Sequence, residues 1–272
     1  MLELPESSYH YHKQRLNKVN LDEALEKEIK QIFDESDETY GYRRITDALN
    51  KTHEDAINYK KVYRIMTKLG LKCIKFWRKS RQYNSYKGTV GMVAPNRLNR
   101  RFNAKHPLQK LVTDVTEFKT ADDKKLYLSP IMDLFNSEII AWNISAHPTL
   151  DFVIKPLEEA LKVVKSHAVY RTTIHSDQGW HYQHKQWVRT LKEHHIFQSM
   201  SRKGNCIDNS PIENFFGLLK QEMYHGEPLL SFEALEKKIN DYKYRYNHKR
   251  IKQKLSGMSP VEYRIHTTQS AA

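Results

Sequence analysis

Between residues 56 and 113 the chain carries fifteen lysines and arginines and not one aspartate or glutamate. Ordinary solvated surface mixes both signs. A segment this one-sided cannot neutralise itself, and it separates the part of the chain before it from the part after it. Residues 1–55 hold 8 basic and 13 acidic side chains and residues 114–272 hold 22 and 19, so the net charge of +13 arises almost entirely in the middle. A polyanion, nucleic acid or an anionic surface, is the partner this distribution calls for. Phe76, Trp77, Tyr83 and Tyr86 interleave the charges and suit stacking on bases or sugars. The plainer alternative is a basic linker with no ligand.

Other classes fall away on composition. Hydrophobic residues make up 39% and mean hydropathy is −0.76, and no apolar run approaches the roughly eighteen residues of a membrane span. The start, Met1-Leu-Glu-Leu-Pro-Glu, lacks the basic and apolar regions of a secretory signal, which predicts an intracellular protein. Cys73 and Cys206 are too few for a disulfide framework and lie in no zinc-ligand spacing, so both read as reduced packing residues.

The first part reads as helices. Leu21, Leu25, Ile29 and Ile32 recur at helical spacing, and Tyr40–Asn50 and Asn58–Gly70 follow, with Gly70 as a stop. In the last of these, Val62, Ile65, Met66 and Leu69 form an apolar stripe and leave Lys60, Lys61, Arg64 and Lys68 on other faces. Such a pair of helices fits a helix-turn-helix, and equally a small bundle with solvated lysines. From about residue 108, Leu111–Phe118, Leu126–Met132 and Glu138–Ile144 predict an antiparallel meander. Helices over 150–166, near 184–194 and from 211 then alternate with strands at 172–176 and 196–200, and a last helix runs from Phe232 to Tyr246. The fold class is α/β, a mixed sheet flanked by helices behind an N-terminal helical region.

Three carboxylates stand where such a sheet would place a site. Asp114 lies within a strand among apolar neighbours, where its charge is costly unless a cation receives it. Asp177 follows the strand ending Ile174-His175-Ser176 and precedes Gln178-Gly179, at a strand's carboxyl end where ligand sites in α/β sheets gather. Glu213 begins a helix. Each also has a plain reading: an ion pair for Asp114, an ordinary turn for Asp177, and for Ser210-Pro-Ile-Glu213 a capping box. Their joint occurrence favours hard divalent cations, which take oxygen ligands and bridge carboxylates to phosphate. His175 reads as a hydrogen-bonded residue behind the site. No glycine-rich phosphate loop with a following Lys-Ser/Thr is present, so nucleotide hydrolysis has no support.

Motifs across nearly the whole length carry a family resemblance. They are Gly41-Tyr-Arg-Arg-Ile, Asn58-Tyr-Lys-Lys-Val-Tyr-Arg-Ile-Met, Thr113-Asp-Val-Thr116, Asp133-Leu-Phe-Asn-Ser-Glu-Ile-Ile-Ala-Trp142, His175-Ser-Asp-Gln-Gly179, Ser199-Met-Ser-Arg-Lys-Gly-Asn-Cys-Ile-Asp-Asn209 and Tyr246-Asn-His-Lys-Arg250. The chain resembles the transposases encoded by the downstream frame of two-frame bacterial insertion sequences, relatives of retroviral integrases. The resemblance implies a ribonuclease H-like core with a mixed five-stranded sheet and an Asp-Asp-Glu triad with thirty-five residues between its last two members. That triad maps onto Asp114, Asp177 and Glu213 as catalytic and metal-binding residues. Magnesium or manganese, two ions, is the implied cofactor, and Lys220, two turns after Glu213, the implied contact to the element end. Arg43, Arg44, Lys60, Lys61 and Arg64 are further candidate DNA contacts. Asp133 matches a family position but reads as structural. Glu138 stands where an arginine is common, and the zinc module of integrases cannot be built here.

The implied organisation is a DNA-binding-like region over 1–70, a basic linker over 71–107, the core over 108–228 and a basic helical extension over 229–272. The implied activity is metal-dependent strand cleavage and strand transfer at insertion-sequence ends. The implied setting is the bacterial cytoplasm and nucleoid, as a homo-oligomer on DNA, with the upstream-frame product as fusion or partner. The rival readings are a ribonuclease H-like nuclease without strand transfer and a non-catalytic DNA-binding repressor.

Overall fold

The computed structural model describes residues 22–73 and 92–269, and the chain divides into two compact units, Met1–Ile74 and Lys75–Ala272. Phe76, Trp77, Tyr83 and Tyr86 lie outside the described residues.

The first unit is built from α1 (Glu23–Glu35), α2 (Tyr42–Thr52) and α3 (Tyr59–Lys68). The Asn58 side chain caps α3 by accepting from the Lys60 amide. At the other end Gly70 takes φ +67°, and the amides of Leu71 and Gly70 close on the carbonyls of Met66 and Thr67. This is a left-handed stop that glycine makes cheaply. Ile29, Phe33, Ile45, Leu49, Val62, Ile65 and Met66 are buried between the three helices. Each contributes about 1.5–3 kcal/mol of burial. Leu69, counted with that stripe on spacing, ends at the cap and is exposed. Lys61 and Arg64, candidate DNA contacts by sequence, both pair with Asp22 at 2.8 Å, and Lys68 pairs with Glu26 at 2.6 Å. Arg44 packs over the Tyr40 ring.

In the second unit, strands β1 (Lys110–Thr113), β2 (Thr116–Lys119), β3 (Lys125–Asp133), β4 (Ile139–Ser145), β5 (Thr173–Ser176) and β6 (Phe197–Met200) form one mixed sheet. β3 is antiparallel to β1, β2 and β4, whereas β5 lies parallel to β1 and β6 parallel to β5. The pairs Thr113↔Ile131 and Thr116↔Leu128 fit one register, so β1 and β2 are a single strand interrupted at Asp114–Val115. The expected run over 111–118 is therefore present but broken, and the sheet has five strands with the first in two pieces. The register sets Pro130 opposite the break. A proline has no amide hydrogen for the ladder, and the Pro130 carbonyl is taken by the Thr113 hydroxyl at 2.9 Å.

Helices cover both faces, as strand alternation requires. Leu111, Ile131 and Ile174 pack with α4 (Leu150–His167) and with Trp187 and Leu191 of α6 (Lys185–Glu193), which follows the single turn α5 (Trp180–Gln183). Val112, Phe118, Leu128 and Met132 pack on the other face with α7 (Ser210–Met223) and α8 (Phe232–His248). A 3₁₀ turn, Cys206–Asn209, leads into α7. The C-terminal stretch folds onto the core: the Asn247 side chain brackets the backbone of Ile139 on β4 with bonds of 2.9 and 3.0 Å, and Glu138 pairs with Arg264 at 2.8 Å. Arg264 lies on α9 (Pro260–Gln269), a helix that sequence periodicity does not reveal because its faces are not sorted into polar and apolar. Part of the basic linker is also anchored, with the Arg97 amide on the Ser199 hydroxyl and the Lys110 ammonium on the carbonyls of Arg101 and Asn103. Among the described residues no helix is long and apolar enough to cross a membrane.

The end of α7 is held by a buried ion pair. Glu222 accepts from Arg250 (2.6 Å) and from the Tyr242 hydroxyl (2.8 Å), and Arg250 is 4% exposed. Arg245 also approaches Glu222, but only at 3.7 Å. Losing Arg250 leaves a buried charge poorly matched, so Arg250→Met is expected to cost about 3 kcal/mol in denaturant unfolding. Adding Glu222→Gln, which removes that charge, recovers most of the loss.

Candidate active site

Asp114 sits in the break between β1 and β2, Asp177 in the turn after β5, and Glu213 in the first turn of α7. Because β1 and β5 are adjacent and parallel, their carboxyl ends open on the same side, and α7 begins against that end: the Asn209 side-chain Nδ2 donates to the Thr113 carbonyl at 3.3 Å. The break in the strand releases Asp114 from the ladder. Its Oδ1 accepts from the Val115 amide at 2.8 Å. Asp177 Oδ1 likewise accepts from the Gly179 amide at 2.9 Å. A side chain at Gly179 would place its Cβ 2.9 Å from that same oxygen, so the glycine is what lets the carboxylate lie over the turn.

Ser210 takes helical angles inside the turn and no side chain caps α7. The capping-box geometry is thus absent. Glu213 stays exposed.

The three carboxylates interact through space. Burial pushes Asp114 well above the usual carboxylate range, the charges of Asp177 and Glu213 push it further, and the Val115 amide opposes them. Asp177 is raised by burial against the Gly179 amide and the nearby His181. Glu213, although exposed, is raised by partial desolvation and by Asp177. Asp114 and Asp177 are nevertheless reachable from solvent, and among the described residues no lysine or arginine pairs with any of the three. Nor are three His, Cys, Asp or Glu side chains among the described residues already gathered around one point as an ion cage. Beneath them lies the fully buried Tyr182, its hydroxyl pushed far up by burial and by the charges of Asp114 and Asp177.

His175 is not part of this group. Its ring nitrogens meet the hydroxyls of Ser199 (2.8 Å) and Ser201 (3.1 Å). Asp133 accepts the amides of Leu108 and Phe135 and holds a chain corner. Lys220 lies with its ammonium 5.0 Å from the centre of the Phe118 ring, on the β2 side of α7.

Asp208 and Asn209 end one of the family motifs, and the sequence assigns them no role. Asp208 is fully buried, held by Arg202 (2.8 Å), Arg100 (2.9 Å) and Asn96 (3.0 Å), and driven far below the usual carboxylate range first by Arg202. Its partners lie up to 112 positions away, beyond any local pattern.

Models described as "Integrase core domain" match residues 104–206 and 213–268, and one described as "HTH-like domain" matches 20–81. The chain is 43% identical over 265 residues to the "Putative transposase InsK for insertion sequence element IS150" of Escherichia coli K12, covering 97% of this chain and 91% of that one. The chain belongs to the insertion-sequence transposases. It is also 49% identical over 210 residues to an "Uncharacterized transposase-like protein" of Haemophilus influenzae, covering 76% and 93%. Among solved structures it is similar to the HTLV-2 integrase catalytic core domain in complex with magnesium, with TM-score 0.46 and 17% identity over 59% of this chain and 98% of the other. As a transposase with an integrase core it is a DNA-cutting enzyme of the polynucleotidyl transferase type. The first core match contains Asp114 and Asp177, and the second begins at Glu213.

His175 has a pH signature of its own. Burial lowers it from 6.5 to about 4, so the folded state refuses a proton that the unfolded chain takes up below about pH 6.5. The stability this group carries is full above that value and is lost as pH falls through 4, about 3 kcal/mol in all. Asp133, raised to about 6 by burial, acts with the opposite sign in an overlapping window. The check is therefore the difference in unfolding free energy between wild type and His175→Asn across pH 4–7, which is expected to narrow toward acid.

Proposed function

We propose that Asp114, Asp177 and Glu213 are the catalytic triad of a metal-dependent strand-transfer reaction. In this reaction a DNA strand is cleaved at an insertion-sequence end and its freed 3′-hydroxyl attacks a second phosphodiester. The observation that carries the reading is that the adjacent carboxyl ends of β1 and β5 and the start of α7 bring three carboxylates within electrostatic reach, where Asp177 raises the proton affinity of both Asp114 and Glu213 and none of the three has a lysine or arginine partner among the described residues. An uncompensated site of this kind is costly in a folded protein unless a cation joins it.

The donor set is all oxygen, which fits magnesium or manganese, two ions in this reading, held by Asp114, Asp177 and Glu213. Bound there, such ions activate the attacking oxygen and stabilise the leaving one. The chain's own residues do the rest. Gly179 admits the Asp177 carboxylate close to the turn, Asn209 ties the start of α7 to β1, and Tyr182 keeps a neutral hydroxyl under the two aspartates. Lys220 and the N-terminal helical unit hold the DNA. The enzyme acts in the bacterial cytoplasm on the nucleoid, assembled as a homo-oligomer on paired ends, with the upstream-frame product fused or associated to supply end recognition.

Cleavage and joining of a duplex carrying the element's terminal repeat are expected to require Mg²⁺ or Mn²⁺ and to vanish in Asp114→Asn, Asp177→Asn and Glu213→Gln while the far-ultraviolet spectrum is unchanged. Removing a repelling charge also makes the metal-free Asp114→Asn protein melt higher than wild type. Wild-type cleavage by Glu213→Gln would remove Glu213 from the triad, and cut but never joined products would leave a nuclease.

A milder probe follows from Gly179. Gly179→Ala must displace the Asp177 carboxylate by tenths of an ångström, and a short side chain at a solvent-reachable turn can give way at little cost to the fold. The thermal midpoint should therefore stay near wild type while Mn²⁺ affinity, read by calorimetry, falls about tenfold or more, as for other disturbances of metal-ligand orientation.

A further inference from the structure

We propose that the N-terminal unit meets double-stranded DNA through Tyr42 and Arg43 of α2 with Tyr59, Lys60 and Tyr63 of α3. Lys61, Arg64 and Lys68 serve instead to hold α1. The proposal deepens the reading of the chain as a DNA-acting transposase and rests on it.

The outward surface of α3 has two flanks of different character. On one, Lys61 and Arg64 share Asp22 and Lys68 takes Glu26, whose side chain is only 13% exposed. These cations are matched by carboxylates of the same unit, so an incoming phosphate would have to displace or approach an anion. The other flank carries no such matching. Tyr59 is 49% and Tyr63 57% exposed, and both rings stand beside Tyr42, with centroids 6.0 and 5.3 Å away. Arg43 donates to the Tyr42 hydroxyl at 3.2 Å. Arg43 and Lys60 are exposed, and neither pairs with a carboxylate among the described residues.

Three tyrosines interleaved with two unneutralised cations make a surface of mixed chemistry. Its rings are larger than solvated surface needs, its hydroxyls can bond phosphate oxygens, and its charge matches the DNA backbone. The first turn of α2 adds to the mismatch that a phosphate would relieve. It holds two arginines and no acidic residue at the positive end of the helix dipole. Asp47, the sole carboxylate of α2, acts on Lys51 and Arg44 instead. Charge complementarity thus selects the tyrosine flank, although by sequence Lys61 and Arg64 look equally suited.

Fluorescence anisotropy of the full chain on a terminal-repeat duplex, between 50 and 200 mM salt, separates the flanks. Each phosphate contact contributes nearly one unit to the salt slope. Arg43→Ala and Lys60→Ala are therefore each expected to flatten it by about one and to weaken binding about eightfold at 0.1 M salt. Tyr59→Phe and Tyr63→Phe, which keep the rings, weaken binding with the slope intact. Lys61→Gln and Arg64→Gln leave the slope unchanged and lower the thermal midpoint. A flattened slope in the Lys61 and Arg64 variants with none in Arg43 and Lys60, or wild-type binding by all six, overturns the assignment. Metal-dependent cleavage lost only on removal of the triad would still support the transposase reading in that event.

Discussion

Like charges brought together at the carboxyl ends of β1 and β5 and the start of α7 are the constraint on which the second unit depends. Asp114, Asp177 and Glu213 repel one another, and nothing local to any of them draws them together. The surrounding chain holds α7 in place against that repulsion at both ends. At its start, Asn209 bonds β1 and the buried Asp208 is gripped by Arg202 and Arg100. At its end, Glu222 is locked to Arg250. The charge that the site lacks is thus present twice over just outside it, where each buried carboxylate has its guanidinium and the energetic cost of burial is met by pairing and hydrogen bonds.

The same logic gives the C-terminal segment its role. Asn247 and Arg264 come from the last two helices and Arg250 from the chain between them, and each reaches a group on α7, β4 or the corner beside it. Asn247 occupies the exposed edge of β4 by supplying one donor and one acceptor to Ile139. That arrangement both protects the edge and ties α8 to the sheet. The C-terminal helices are therefore part of the core's support, and the stretch of linker from Ala94 to Asn103 is a second strap on the opposite side, at β6 and β1.

Most elements were legible because their periodicity is local. The stripe of α3 up to Met66, the β-rich runs and the stop at Gly70 each depend on neighbours a few residues apart, and they appear where the pattern puts them. The break in the first strand was not read, although a signal existed. Pro130 stands in the interior of the next strand, and once the hairpin register is known it faces Asp114. The capping box at Ser210 was a fair reading of four residues, but the preceding 3₁₀ turn carries the chain into the helix and leaves nothing to cap. α9 escaped because its polar and apolar residues are not sorted by face.

By itself the sequence determined the class of fold, the family and the basic excess, and it singled out the three carboxylates, because these rest on periodicity, composition and motifs held within short spans of chain. Only the tertiary structure decided which charges are matched. Lys61 and Arg64 differ from Lys60 solely by where α1 lies, and Asp208 differs from Asp114 solely by whether arginines more than a few residues distant reach it. Electrostatic pairing acts across space between residues that are remote along the chain, so whether a charge is neutralised or left for a ligand is settled when the elements pack.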